Sequence, residues 1–269
     1  MAAEGVPYIE RPFRAWLKLS AEHRCAYEFR SPTSAYIFKW FEESSPAGAH
    51  FVPHFFVGTF YFDAGFWPVA IPYFAGQQML DGRKAVSDMP DAIWERLVTN
   101  NEHVENFKAL WADCLDYGVG VREFRSQGVS ANEPWRKFLL SADKELNATV
   151  SMLCRFQPES KAIESARMAV EMFLKAALCH AGMSYDAAVK LSHRLDKSLT
   201  AVLDKFPDSP LRELFTRLDT FPPVSDRYEA KEYGKQQLWL AYKLAQFTGA
   251  EFVRTLTGRN LRAQIASRF

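Results

Sequence analysis

The sequence is poor in cysteine, and what it has is not arranged to hold a metal. Only Cys25, Cys114, Cys154 and Cys179 occur in 269 residues, far apart and with no C-x-x-C pair. Zinc ribbons need such pairs, and disulfide frameworks belong mainly to smaller secreted chains. The four are expected as reduced, mostly buried thiols of a cytoplasmic protein. Also missing are a G-x-x-x-x-G-K-[ST] loop, a G-x-G-x-x-G fingerprint and a G-x-S-x-G elbow, so no nucleotide-cofactor fold and no cofactor are expected. His50 and His54 stand four apart, as zinc ligands on a helix do, but Pro53 disfavours a helix there and no acidic ligand follows. Neither an internal repeat nor a low-complexity tract is present. The opening MAAEGVPYIERPF lacks a basic stretch followed by an apolar core and does not read as a secretory signal.

What is present is apolar residues, at 48%, enough for a large core, and a formal charge of +1 that is unevenly spread. Residues 1–147 hold 15 Lys/Arg against 19 Asp/Glu, and residues 148–269 hold 18 against 13. Arg254, Arg259, Arg262 and Arg268 crowd the last stretch without an acid, so a polyanion would prefer the C-terminal part. Residues 51–74, FVPHFFVGTFYFDAGFWPVAIPYF, carry ten aromatics. Asp63, His54, Pro53, Pro68 and Pro72 break this run too often for a membrane span. Buried core is expected there, and no membrane partner.

Periodicity divides the chain into residues 1–131, aromatic-rich and mostly helical, and residues 132–269, a helical bundle. A first bundle helix starts at Asn132 or Glu133 before Pro134, with Trp135, Phe138, Leu139, Ala142, Leu146, Val150 and Leu153 on one face. Residues 159–181 form the next, closing at Gly182 as a left-handed cap. Residues 184–206 read as one further helix, and Ser209 followed by Pro210 starts a short one. A long helix from Glu229 ends the pattern, with Leu238, Tyr242, Ala245, Gly249, Phe252 and Leu256 as a seam on which small residues admit a close neighbour. In the first part, residues 90–118 read as one helix ending at Gly118, and 32–45 as a shorter one. The aromatic run is apolar on every face, so its period separates neither strand from helix; helix is the expectation taken for the region.

On the 159–181 helix, Glu164, Arg167, Glu171 and Lys175 lie three or four apart and share a face, with Arg167–Glu171 and Glu171–Lys175 as i,i+4 pairs. A solvated ion-pair stripe is the plain explanation. ARMAVEMFLKAALCHAG, LSHRLDKSL about ten residues on, and FPPVSDRYEAKEYG before a long helix together resemble the HEPN family (higher eukaryotes and prokaryotes nucleotide-binding domains). The resemblance runs over about residues 135–258 and rests on the order and spacing of Glu171 and Lys175, His193-Arg194-Leu195, and Arg227-Tyr228. It implies an all-α antiparallel bundle of four or five helices, a homodimer, and a polar cleft between protomers. Many such proteins are metal-independent ribonucleases of prokaryotic defence, toxin–antitoxin or stress systems, whose motif is Arg, four to six residues, then His. There the His works as general acid or base at a ribose 2′-hydroxyl or leaving oxygen, and the Arg stabilises the phosphorane.

This sequence departs at the motif histidine. Four intervening residues after Arg227 lead to Glu232, then Tyr233. An ionised carboxylate would repel the phosphate. Asp226, Glu229 and Glu232 are also explained as acids in the first turn of the last helix. The reading is therefore a HEPN-like dimer that binds RNA, a nucleotide or a protein partner. Arg227, Lys175, Arg167 and His193 would be its anion contacts beside Glu171, and Tyr228 or Tyr233 would stack on a base. Two alternatives stand beside it. One is an endoribonuclease using Arg227 with a histidine from elsewhere, with His193, Arg227 and Glu232 as catalytic candidates. The other is a structural subunit in which residues 51–74 are an apolar docking surface.

Overall fold

The computed structural model describes residues 11–23, 31–44, 54–72, 81–126, 133–228 and 231–266. Two compact units divide the chain, residues 1–53 and 54–269. In the first, α1 (Arg11–Glu22) and α2 (Pro32–Glu43) pack on each other. The second begins with a hairpin, β1 (His54–Phe62) and β2 (Gly65–Pro72). It continues through α3 (Gly82–Ala85), α4 (Asp91–Val98), α5 (Asn101–Ser126), α6 (Pro134–Leu153), α7 (Ala162–His180), α8 (Tyr185–Lys190) and α9 (Leu195–Lys205). Two 3₁₀ segments, Pro210–Thr220 and Val224–Tyr228, lead to α10 (Lys235–Thr257) and α11 (Leu261–Ala266). The protein is thus mainly helical, and none of the described helices is long and apolar enough to cross a membrane.

The aromatic run corrects the helical expectation. Its described part is the antiparallel hairpin, with Phe62 opposite Gly65 and Thr59 opposite Pro68. Pro68 and Pro72 are tolerated because β2 has no second neighbour in this two-stranded sheet. The connection is Asp63-Ala64, both at positive φ (52° and 59°), as a twist-matched two-residue turn requires. Helices brace it: Arg96 of α4 pairs with Asp63, and Lys235 Nζ donates to Ala64 O at 2.9 Å. Phe56, Phe60, Val69 and Ile71 are buried in the shared core. The described part of 51–74 therefore spends these side chains internally rather than on a docking surface.

The divide expected at 131/132 falls instead at 53/54, because α5 packs on α10 and the hairpin packs on α5 and α6. Residues 90–118 are two helices, not one. Asn100 Oδ1 accepts from Glu102 N at 2.9 Å and restarts the chain as α5. Gly118 does not stop α5; a Cβ there would lie 2.8 Å from Phe56 Cβ, so the glycine lets the hairpin close on the helix. Residues 184–206 are likewise broken, between α8 and α9, where Ser192 takes φ +54°.

Other starts and stops follow the sequence. Pro134 opens α6, Gly182 follows α7 at φ +96°, and Ser209 Oγ accepts from Leu211 N at 3.3 Å. The seam of α10 packs inside the unit. Leu238, Tyr242, Ala245 and Phe252 are all buried, and α10 lies against both α7 and α5. At Gly249 a Cβ would meet Phe173 Cζ at 2.7 Å and Tyr117 Cε2 at 3.0 Å, both on fully buried rings. Gly249→Ala should therefore destabilise. Overpacking costs about 1–3 kcal/mol, more than the roughly 1 kcal/mol gained in helix propensity. A urea midpoint at or above wild type would contradict this close approach.

Candidate functional site

The polar face of α7 is buried, not solvated. Glu171 is fully enclosed, and Arg167 and Lys175 are 8% and 4% exposed. One helical turn brings Lys175 Nζ to 2.8 Å from Glu171 Oε1, while Arg167 Nη1 stands 3.8 Å from Oε2. Covering them is the turn between α8 and α9. Ser192 at positive φ directs the following residues back over α7, where His193 O accepts from Arg167 Nη2 at 2.6 Å and His193 Nδ1 lies 3.0 Å from Glu171 Oε2. Arg167, Glu171, Lys175 and His193 thus lie together. Only His193, its side chain 46% exposed, presents a charged-capable group to solvent.

This arrangement fixes the histidine. A carboxylate beside an ammonium accepts hydrogen bonds and donates none. The His193 proton therefore sits on Nδ1, and Nε2 is the ring nitrogen left for other chemistry. Orientation of an imidazole by a buried carboxylate is the arrangement that acid–base histidines use. It is also a way to hold a surface histidine still for binding. Next door, Arg194 grips Asp196 through two hydrogen bonds (3.0 and 2.7 Å), and that guanidinium holds the Asp196 carboxyl at about 2.

The remaining sequence candidates lie elsewhere in the chain. Asp226, Glu229 and Glu232 were expected in the first turn of the last helix, but α10 begins only at Lys235 after Gly234 and has no acid in its first turn. Glu229 lies outside the described residues. Glu232 instead accepts from Ser160 Oγ at 2.7 Å, and that oxygen accepts from Tyr233 N at 3.0 Å, tying this segment to the start of α7. Tyr233 is half-buried against the core. Arg227 and Tyr228 belong to the 3₁₀ turn Val224–Tyr228, but their side chains fall outside the described set. His54 is half-buried, and desolvation lowers its pKa; its partner in the expected pair, His50, lies outside the described residues. Among the described residues no group of His, Cys, Asp and Glu is placed to hold a metal.

A second ionic cluster escaped the sequence reading. Arg254 of α10 is buried and donates to Asp116 (2.7 Å), Asp113 (2.6 Å) and Glu251 (2.5 Å). Arg262 Nη1 reaches Asp113 at 3.3 Å, Leu261 N donates to Asp116 Oδ1 at 3.0 Å, and Arg259 Nη2 reaches Glu123 at 2.5 Å. Burial would lower the Arg254 pKa, but Asp113 and Asp116 outweigh it and raise it. Burial raises Asp113 and Glu251, with Arg254 opposing. Three of the four C-terminal arginines expected to attract a polyanion are thus engaged by acids of the chain itself; Arg268 lies outside the described residues. The available signal was Asp113 and Asp116, two acids inside the apolar stretch LWADCLDYGVGV.

Compared with protein-family models, curated proteins and solved structures, the chain matches none.

Proposed function

We propose that the helical part of the chain is a HEPN-like module that binds RNA or a nucleotide phosphate, with His193 as its held contact point. The observation that carries this is the fully buried Glu171 gripping His193 Nδ1 while half of the imidazole side chain stays in solvent. Arg167 and Lys175 neutralise Glu171 from inside and act on the ligand through His193 rather than by touch. In this reading Arg227 and Tyr228 supply the further cationic and stacking contacts of a cleft shared by two protomers.

The test is fluorescence anisotropy with a labelled structured RNA at two salt concentrations. Affinity should fall steeply with salt, as phosphate contacts demand. His193→Ala should weaken it about tenfold, the worth of one hydrogen bond to a charged group. An unchanged affinity in His193→Ala would remove the proposal. The same geometry favours a second reading, an endoribonuclease in which His193 Nε2 moves the proton of the ribose 2′-hydroxyl. Cleavage by wild type in EDTA, abolished in both His193→Ala and Arg227→Ala, would select it over simple binding.

A further inference from the structure

Away from the α7 face, the start of α3 together with α4 and α5 line an open pocket of about 470 Å³. That is within the range of small-molecule sites. Trp94, Leu97, Phe107 and Trp111 make its apolar walls, and Lys84 and Lys108 are its two basic wall residues. The rings are already ordered by one another. Trp94 meets Phe107 edge-on at 5.7 Å, and Phe107 lies nearly parallel to Trp111 at 6.1 Å with 14° between planes. The Arg83 guanidinium sits 5.8 Å from the Trp94 ring and is itself held by Val86 O, Met89 O and Asp91. Gly82 leaves the space beside Phe107 and Trp111 open, since any Cβ would come within 3.2 Å of the phenyl ring.

Two features define an occupant. Two indoles and a phenyl ring offer flat apolar surfaces that suit a planar ring. Trp111 turns the Cζ3–Cε3 edge of its indole toward Gly82, so its contribution at this glycine is apolar. Charge selects the sign. Of the lining residues, Lys84 and Lys108 are basic and Asp81 alone is acidic. The Asp81 carboxylate is already committed to capping α3 through Arg83 N at 2.9 Å, with Lys84 Nζ at 3.9 Å. Lys108 pairs with Glu105 at 2.8 Å, on a carboxylate side chain 67% exposed. A cation-binding aromatic cage would place acids, not two lysines, around the rings. We infer that this cavity is a binding site for a small planar aromatic acid, its ring among Trp94, Phe107 and Trp111 and its carboxylate toward Lys84 and Lys108.

The probe is naphthalene-2-carboxylate, titrated calorimetrically into the full-length protein, with neutral naphthalene-2-methanol as the comparison. Saturable one-to-one binding is expected, about tenfold tighter for the acid than for the alcohol. The double variant Lys84→Gln/Lys108→Gln, altered only at side chains that reach the surface, should erase that preference. Val98→Trp, at a rim position whose side chain is exposed, should block both compounds without disturbing the fold. Absence of saturable binding to the wild type would overturn the inference. So would equal affinity for acid and alcohol, or binding that survives Val98→Trp.

Discussion

Arg254→Met should lower the unfolding free energy by about 3–5 kcal/mol at neutral pH, the usual consequence of stranding buried charges without their partner. Methionine roughly keeps the length and apolar stem of the side chain, so the loss isolates the guanidinium. What remains is Asp113, Asp116 and Glu251, all buried, with Arg262 still near Asp113. The pH dependence gives the sign. Burial raises Asp113 and Glu251 above their unfolded values. Their contribution is thus fully present below the unfolded carboxylate range, near 4, and is lost as pH rises through the higher folded values. Removing Arg254 removes the influence that pulls both pKa values down, so in the variant they climb further and protonation relieves the stranded charges sooner. The deficit relative to wild type should be large at pH 7 and smaller at pH 5, measured by urea midpoints. A deficit that is constant or grows toward acid would show that the cluster is not held by this arginine. Arg254→Lys should fall between the two, keeping the charge but losing the fork that reaches three carboxylates at once.

Glu171→Gln carries a comparable penalty, again about 3–5 kcal/mol. The amide matches the carboxylate in shape but removes the negative charge that stands against both Lys175 and Arg167. Shape and charge are separated by a double-mutant cycle. If stranded charge is the cause, Glu171→Gln/Lys175→Met should be more stable than Glu171→Gln alone, since an apolar replacement of a buried pair is often close to neutral. Additive losses would contradict that. The same variant tests the site. With the carboxylate gone, Nδ1 of His193 loses its acceptor charge, and the ¹⁵N shifts of the ring should report a change in tautomer balance.

The two clusters differ in how far the sequence betrayed them. Arg167, Glu171 and Lys175 follow an i,i+4 rhythm, so their grouping was legible; that His193 joins them was not, because residues 184–206 read as one helix. Their burial was not, because i,i+4 charges on a helix considered alone look solvated; only the turn carrying Ser192 and His193 over α7 takes them out of water. Asp113 and Asp116 pair with an arginine 138–141 residues away, beyond any local pattern. The hairpin was hidden for another reason. Every face of it is apolar, and its turn, Asp63-Ala64, lacks the Asn-Gly or Asp-Gly signature and relies on Arg96 and Lys235 for support. α5 was read as helix but with other bounds, because it is buried on most sides and the glycine taken as its stop, Gly118, is a contact point for Phe56. Local chemistry, by contrast, was readable wherever it acts within a few residues, as at Pro134, Ser209 and Gly182.

The Arg254 cluster also orders events during synthesis. At about 5–20 residues per second, a ribosome finishes Asp113 and Asp116 roughly 7–28 seconds before it adds the arginine that neutralises them. Until then burying this stretch of α5 would strand two carboxylates, which favours keeping it hydrated. Pairing of these buried acids therefore waits on the last part of the chain, which carries Arg254.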